Sequence, residues 1–159
     1  MDAAKILRTI DANLNRVSEG LRVLEDIARM VLDDGVLSAG LKEMRHNLIR
    51  TDVDYNIELL QARNAAEDVG ADSEVSGESK TKDIALLLVA NARRAQESLR
   101  VLEEVSKLSE TEGRFDTDKF KNARFKIYTL ERELMSALLR KDKRDRVKGL
   151  YVIIDRESL

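Results

Sequence analysis

Hydrophobic residues recur every three or four positions over most of the chain, which is the spacing of one face of an α-helix. Four such stripes predict helices over residues 3–33, 37–62, 83–108 and 117–141. The first stripe is the longest and consists of Ile6, Ile10, Leu14, Val17, Leu21, Leu24, Ala28 and Val31.

Polar residues and glycines separate the predicted helices. Gly35 follows two aspartates and is expected to end the first helix in a left-handed conformation, and Asp116 is expected to cap the start of the fourth. Residues 63–82 have no hydrophobic period, and such a stretch inside a compact domain is typical of a binding loop or a linker. Either its charged residues contact a phosphate and magnesium, or the segment is a mobile linker; these residues are Arg63, Asp68, Lys80 and Lys82.

The third predicted helix repeats the first. Residues 12–27 read ANLNRVSEGLRVLEDI and residues 90–105 read ANARRAQESLRVLEEV, with nine of sixteen positions identical at an offset of 78. Because one helical hairpin cannot bury its own apolar face, two copies are expected to pack together. The predicted fold is all-α: a four-helix bundle over residues 1–141, made of two tandem hairpins related by a pseudo-two-fold axis. The first repeat covers about 3–62 and the second about 83–141.

The pattern changes at the C-terminal end. Residues 142–148 are predicted to be a charged linker, and residues 149–159 contain the run GLYVIID. Consecutive β-formers after a glycine predict a buried strand. One strand has no partner in this sequence, so we interpret it as the first element of a following domain.

Two asparagines lie where the helical pattern calls for apolar residues. At 100° per residue, Asn13 falls within the hydrophobic sector of the first helix, and Asn91 occupies the same place in the repeat. A buried amide without hydrogen bonds costs about 1–3 kcal/mol. The asparagines are therefore expected either to pair with each other or to bind a ligand. Gly20 lies on the same side, and it favours either a close helix contact or room for a bound molecule.

The repeated string also carries charged residues. Arg16 and Glu19 flank the apolar sector and face a neighbouring helix, as Arg94 and Glu97 do in the repeat; they either bind a ligand or pair on the surface. Arg22 and Glu25 have a simpler interpretation, because Arg22 with Asp26 and Glu25 with Arg29 are pairs four residues apart on one helix. Their equivalents in the second copy are Arg100 and Glu103.

Composition excludes several classes of function. The net charge is −2, so there is no basic patch for nucleic acid or an anionic membrane. The absence of cysteine excludes disulfides and thiolate chemistry, and the single histidine, His46, argues against a histidine triad or a histidine-based metal site. The N-terminus begins in an amphipathic pattern and no apolar run could span a bilayer, so cytoplasm is the expected location.

A sparse second stripe of apolar residues suggests association. Ala12, Val23 and Met30 lie off the main face of the first helix, and Val101 repeats Val23. An exposed apolar stripe favours an interface. We therefore expect a homodimer or a contact with a further domain.

Several strings together resemble one known family, namely DANLNRVSEGLRVLEDIARMVLDD, LKEMRHNL, ARNAAEDVG and VANARRAQESLRVLEEVSKL. They resemble the all-helical hydroxymethylpyrimidine phosphate kinases of thiamin biosynthesis, which are often fused ahead of thiamine phosphate synthase. The resemblance extends to about residue 140. The tail GLYVIID also looks like the first strand of the synthase barrel, which the sequence truncates. Asn64 stands where the family usually has Asp.

The resemblance implies ATP-dependent phosphorylation of hydroxymethylpyrimidine phosphate to the diphosphate, with ATP and magnesium required. It implies that arginines bind the phosphates, that carboxylates hold magnesium, and that Asn13 and Asn91 bind the pyrimidine edge. The expected substrate-binding arginines are Arg16, Arg22, Arg45, Arg63, Arg94 and Arg100. The expected magnesium ligands are Asp68, Glu19 and Glu97, and the candidates for a catalytic role are Glu19, Glu97 and His46. The alternative is a non-catalytic helical appendage that dimerises or tethers the synthase barrel.

Overall fold

The computed structural model describes residues 3–49, 53–63 and 83–147, all of which lie in helices or short connections. The prediction of an all-α fold is therefore confirmed for these residues, and none of their helices is long and apolar enough to cross a membrane. The helices are α1 (Ala3–Asp26, followed by a π-helical turn at Ile27–Val31), α2 (Gly35–Ile49), α3 (Val53–Ala62), α4 (Ile84–Val105) and α5 (Thr117–Arg146), with a 3-10 turn at Ser109–Thr111.

The centre of the fold is the pair of helices that carry the repeated string. α1 packs along α4, α2 and α3 pack on α1, and α5 packs on α4. The predicted stripe of α1 forms the core, with Val17, Leu21 and Leu24 fully buried, and α4 contributes Leu88, Leu99 and Leu102. Burying one such side chain contributes about 1.5–3 kcal/mol, so the hydrophobic effect holds α1 and α4 together along their length.

The first helix ends where the sequence predicted, but the residue with the left-handed conformation is not the predicted one. Asp33 has the positive φ, of 55°, whereas Gly35 is already the first residue of α2. Aspartate tolerates the left-handed region better than most residues. The neighbouring Asp34 then caps α2, because its carboxylate accepts hydrogen bonds from the backbone N–H groups of Val36 and Leu37 at 3.1 and 3.0 Å. Asp116 caps α5 in the same way, as predicted.

Two predicted boundaries differ from the structure. The second predicted helix, over residues 37–62, consists of α2 and α3, with residues 50–52 outside the described part. α5 continues to Arg146, so most of the predicted linker at 142–148 is helical. Basic residues stabilise the C-terminal end of a helix through its dipole, and Arg146 also lies 3.9 Å from Asp142 one turn earlier.

Two other predicted features lie outside the described residues. These are the unpatterned segment from residue 64 to 82, which includes Asn64, Asp68, Lys80 and Lys82, and the strand predicted in residues 149–159.

Gly20 lies at a close contact between α1 and α4. A Cβ atom at this position would lie 2.8 Å from the backbone carbonyl oxygen of Asn91 and 3.3 Å from the Cβ of Ala95. The first distance is shorter than a van der Waals contact, and the carbonyl cannot rotate away as a flexible side chain could. Of the two interpretations made from the sequence, close helix approach is therefore confirmed.

We expect Gly20→Ala to destabilise the protein. Overpacking a well-packed contact costs about 1–3 kcal/mol, and the better helix propensity of alanine offsets about 1 kcal/mol of that. Chemical denaturation should therefore show a lower free energy of unfolding.

Gly40→Ala is the matched control, because Gly40 lies inside α2 with nothing within 4 Å of an added Cβ. It should raise the free energy of unfolding by about 0.5–1 kcal/mol. An equal gain in both variants would contradict the close contact at Gly20.

Candidate functional site: a groove between the repeated helices

The two copies of the repeated string face each other across one groove. The groove lies between α1 and α4, encloses about 520 Å³, and is lined by Asn13, Arg16, Glu19, Gly20, Asn91, Arg94, Glu97, Ser98 and Val101. All of these except Val101 form equivalent pairs, one member from each copy of the repeat. The groove is therefore built from matching positions, with an asparagine, an arginine and a glutamate on each wall.

Both asparagines are buried at the base of the groove and held in one orientation. The Nδ2 of Asn13 donates to the backbone oxygen of Thr9 at 2.8 Å, and the Nδ2 of Asn91 donates to that of Leu87 at 2.8 Å. Because a backbone oxygen only accepts, the amide nitrogen must be the atom that faces it. The Oδ1 atom and second amide proton of each asparagine make no hydrogen bond with the described residues, so they are available to a ligand.

The alternative that the asparagines bind each other is not what the structure shows, since each is held by its own helix. A carboxamide with a free acceptor and a free donor is suited to a partner that offers both. Two such groups face the same groove.

The four charged side chains of the groove differ from the other charges that occur at the same position in both copies of the repeat. Arg16, Glu19, Arg94 and Glu97 are solvent-exposed and make no ion pair within residues 3–49, 53–63 and 83–147. By contrast, Arg22 binds Asp26 at 3.4 Å, as predicted, and Arg100 binds Glu104 at 2.7 Å. Arg22 and Arg100, which were also predicted to bind substrate, do not line this groove.

Glu25 is not on the surface, which corrects the predicted pairing with Arg29. Its side chain is 3% exposed and accepts from the Nε and Nη2 of Arg45 on α2 at 3.1 and 2.9 Å. The second repeat has the same arrangement, in which Glu103 accepts from Arg124 on α5 at 3.3 and 2.9 Å. Arg29 instead lies 3.9 Å from Asp26.

These buried pairs link the two helices of each hairpin. A buried carboxylate needs such a partner, because an unpaired charge in the interior is strongly destabilising. Arg45 was predicted to bind a phosphate, but its guanidinium is held by Glu25 and does not line the groove. This position favours a structural role for Arg45.

Arg63 also has a partner that the sequence did not suggest. Its Nε and Nη2 donate to the two carboxylate oxygens of Asp11, both at 2.8 Å, and this bidentate pair joins the end of α3 to α1. The pair raises the pKa of Arg63, chiefly through these hydrogen bonds. Arg63 does not line the groove, and His46 is exposed on α2.

The predicted magnesium ligands are only partly within the described residues. Glu19 and Glu97 line opposite walls of the groove, whereas Asp68 lies outside the described part. The described residues contain no group of three or more His, Cys, Asp or Glu side chains that could hold a metal alone. Magnesium is often held by one or two carboxylates together with water and substrate phosphates, and the two glutamates fit that pattern.

Sequence reasoning missed the acidic partners of the ion pairs, namely Asp11, Glu25 and Glu103. Arg124 gave a signal, because it aligns with Arg45 once one residue is inserted into the repeat. Glu103 likewise repeats Glu25, but nothing in the sequence pairs Glu103 with Arg124, because no short sequence period relates residues on different helices.

Comparison with known proteins shows what this chain is similar to. The model of the ThiD2 family matches residues 8–133. Relatives named thiamine-phosphate synthase are similar over most of this chain, and that of Thermosynechococcus vestitus is 37% identical over 133 residues, covering 84% of this chain and 36% of the relative. The relative from a Nostoc species is 38% identical over 130 residues, covering 82% and 35%, and that from Rhodopirellula baltica is 32% identical over 157 residues, covering 96% and 41%.

The chain therefore spans well under half the length of these relatives. No solved structure matches it.

The Glu103–Arg124 pair predicts a specific dependence of stability on pH. Hydrogen bonding from Arg124 lowers the pKa of Glu103 below its ordinary value of 4.5. The folded state therefore binds this proton less tightly than the unfolded state does. The stabilisation is present above pH 4.5 and is lost as pH falls through the lower, folded pKa.

We expect the unfolding free energy, measured in urea between about pH 7 and 3, to fall in acid less steeply for Glu103→Gln than for the wild type. Glu112→Gln is the control, because Glu112 is exposed and forms no ion pair within the described helices and turns. Parallel pH profiles for the wild type and Glu103→Gln would contradict the account.

Proposed function

The chain belongs to the ThiD2 family, and on that premise we propose that it acts in thiamine biosynthesis as an ATP-dependent kinase of hydroxymethylpyrimidine phosphate. The observation that supports this most strongly is the set of unpaired charges and free amide groups in the groove between α1 and α4. Two arginines, two glutamates and two asparagines face one space, and each type occurs once on each wall. Six groups that can bind phosphate, a metal or a pyrimidine edge are thus gathered in one space and are available to a ligand.

The arginines suit the phosphates of the reaction. Arg16 and Arg94 each offer up to five N–H donors, and charge-assisted bonds to phosphate are among the stronger hydrogen bonds in proteins. With one guanidinium on each wall, the two arginines together can contact the phosphate of the acceptor and the γ-phosphate of ATP. This brings together two anions that repel each other in water.

The asparagines suit the aminopyrimidine. Its ring nitrogens accept hydrogen bonds and its exocyclic amino group donates them, so each free Oδ1 and N–H has a complementary partner. The groove volume of about 520 Å³ lies within the usual range for small-molecule sites. Asn13 and Asn91 would therefore fix the ring while the arginines fix the phosphate.

The chemical step requires no activated side chain. A phosphate oxygen of the substrate, already anionic, attacks the γ-phosphorus of ATP and forms a new P–O bond. The bond from the γ-phosphorus to the bridging oxygen breaks, and its electrons leave with ADP. The protein's contribution is to hold the two reactants in line and to stabilise the transition-state charge with Arg16 and Arg94.

Magnesium, when bound, would supply further neutralisation of the phosphates. Glu19 and Glu97 are the residues of the groove that could hold it. Their carboxylates also limit the net positive charge of the groove, since two arginines and two glutamates balance.

We also propose the arrangement that the repeat implies, a four-helix bundle with a pseudo-two-fold axis. Equivalent contacts support it, because the Glu25–Arg45 pair of the first repeat corresponds to the Glu103–Arg124 pair of the second. The bonds of Asn13 and Asn91 to their own helices correspond in the same way. An experimental structure in which the two halves do not superpose would refute the arrangement.

A third part of the proposal concerns partners. The relatives are much longer than this chain and are named thiamine-phosphate synthase, which supports association with a synthase barrel. The apolar stripe that suggested a homodimer is only partly exposed, because Val23 packs against the core and Val101 lines the groove, while Met30 is 63% exposed. We expect a homodimer by light scattering, and a strict monomer would leave only the barrel contact.

Substitution of groove residues should remove activity while the fold is kept. Asn13→Leu and Asn91→Leu replace a buried amide by an apolar group of similar size, so stability should stay the same or rise. Formation of the pyrimidine diphosphate from ATP, magnesium and hydroxymethylpyrimidine phosphate should nevertheless collapse. Arg16→Ala or Arg94→Ala should lower kcat/KM by roughly 30- to 1,000-fold, or about 2–4 kcal/mol of transition-state stabilisation.

Two variants serve as controls. Asn15→Leu changes an exposed asparagine of α1 outside the groove, and Arg29→Ala removes an exposed arginine near the end of the same helix. Both should keep wild-type turnover. A well-folded wild type that neither binds the pyrimidine phosphate nor forms the diphosphate, alone or joined to a synthase barrel, would decide for the non-catalytic appendage.

A further inference from the structure

A second cavity adjoins the groove and breaks its symmetry. It encloses about 590 Å³ between α4 and α5, and it is lined by Arg93, Gln96, Glu97, Arg100, Arg124 and Tyr128. Glu97 lines both spaces, so they meet at this side chain. The groove itself has nearly equivalent walls, whereas this cavity belongs to the second repeat.

The first repeat has different residues at the corresponding positions. Arg93 corresponds to Asn15 in the repeated string, and Tyr128 corresponds to Ile49 in the alignment that matches Arg124 with Arg45. The substitutions add a guanidinium and an aromatic ring to the second repeat alone. These groups bind phosphates and planar rings, respectively.

The arginines of this cavity differ in how far their N–H donors are already used in ion pairs. Arg93 is exposed and forms no ion pair with any residue that the structure describes. Arg100 binds Glu103 and Glu104 on its own helix, but its side chain is 55% exposed and has donors to spare. Arg124 is held by Glu103, and Gln96 donates to Glu131 at 2.6 Å. Arg93 and Arg100 are thus the side chains that can reach an anion here.

The aromatic side of the cavity is also exposed. Tyr128 is 45% exposed and meets the 55% exposed Phe125 edge-on, with ring centroids 6.0 Å apart. The guanidinium of Arg124 lies 5.0 Å from the centroid of Phe125. The chain has only three tyrosines and three phenylalanines, so two of them together on the surface form a distinct platform. An exposed ring beside arginines can stack a nucleobase.

We propose that this second cavity binds the nucleotide of the phosphoryl donor, with the base against Tyr128 and the inner phosphates near Arg93 and Arg100. The γ-phosphate then extends past Glu97 into the groove, where the acceptor lies. The inference rests on the proposed kinase function, and it specifies from which side of the groove ATP binds. A groove with equivalent walls could bind its two ligands either way round, and a nucleotide site on one side selects a single orientation.

The test replaces each residue by its counterpart from the first repeat. Arg93→Asn changes an exposed side chain and should leave the thermal unfolding transition in place. Tyr128→Ile also removes a contact to Arg124, so its unfolding transition is measured to check that the variant is folded at the temperature of the binding experiment. Binding of a non-hydrolysable ATP analogue with magnesium, measured by calorimetry, should weaken roughly tenfold in each variant, as expected for loss of one stacking or charge-assisted contact. Binding of hydroxymethylpyrimidine phosphate should change by less than about twofold, since neither substituted residue lines the groove.

Asn15→Ala and Arg29→Ala are the controls for position and for charge, and both should bind the analogue as the wild type does. The inference is overturned if the wild type does not bind the analogue, if the two variants bind it normally, or if they lose the pyrimidine phosphate to the same extent. Turnover is measured separately, so failure of the kinase assay with normal analogue binding counts against the proposed function and not against the nucleotide site.

Discussion

The contact between α1 and α4 at Gly20 is the constraint on which the candidate site depends. There is no room for a side chain beyond hydrogen, because a Cβ would meet the carbonyl oxygen of Asn91 at 2.8 Å. This close approach brings the two copies of the repeated string to opposite walls of one groove. A wider separation would leave each copy as an ordinary helix surface.

The buried ion pairs determine which charges remain for a ligand. Glu25 and Glu103 occupy Arg45 and Arg124, and they tie each central helix to the next helix of its hairpin. Arg16 and Arg94 have no such partner within the described residues, although they belong to the same repeated string. The structure thereby divides one charged motif into a structural set that is paired and a groove set that is available.

The features that repeat or that follow the helical period could be predicted from the sequence. Asn13 and Asn91 stood out because a polar residue on an apolar face occurs twice at the same position, and both line the groove. The pairing of Glu25 with Arg45 could not be predicted, because the two residues lie on different helices and only the packing of α2 on α1 brings them together.

The same limit applies to other contacts that depend on tertiary packing. Asp11 lies on α1 just before the repeated string and Arg63 follows α3, so no local pattern connects them. Asp33, shortly after the π-helical end of α1, takes the left-handed conformation expected of Gly35. Local sequence rules thus predict the helices and the polar residues on their apolar faces. The ion pairs between helices can be identified only from the folded structure.

The central claim is that both asparagines bind one pyrimidine phosphate in this groove. The most direct measurement is a titration of ¹⁵N-labelled protein with hydroxymethylpyrimidine phosphate, in which the side-chain amide resonances of the asparagines are followed and assigned by Asn→Leu variants. The account predicts that the resonances of Asn13 and Asn91 move together with one saturation curve, while that of Asn15 stays in place. Unchanged Asn13 and Asn91 resonances at saturating ligand, or shifts no larger than that of Asn15, would contradict it.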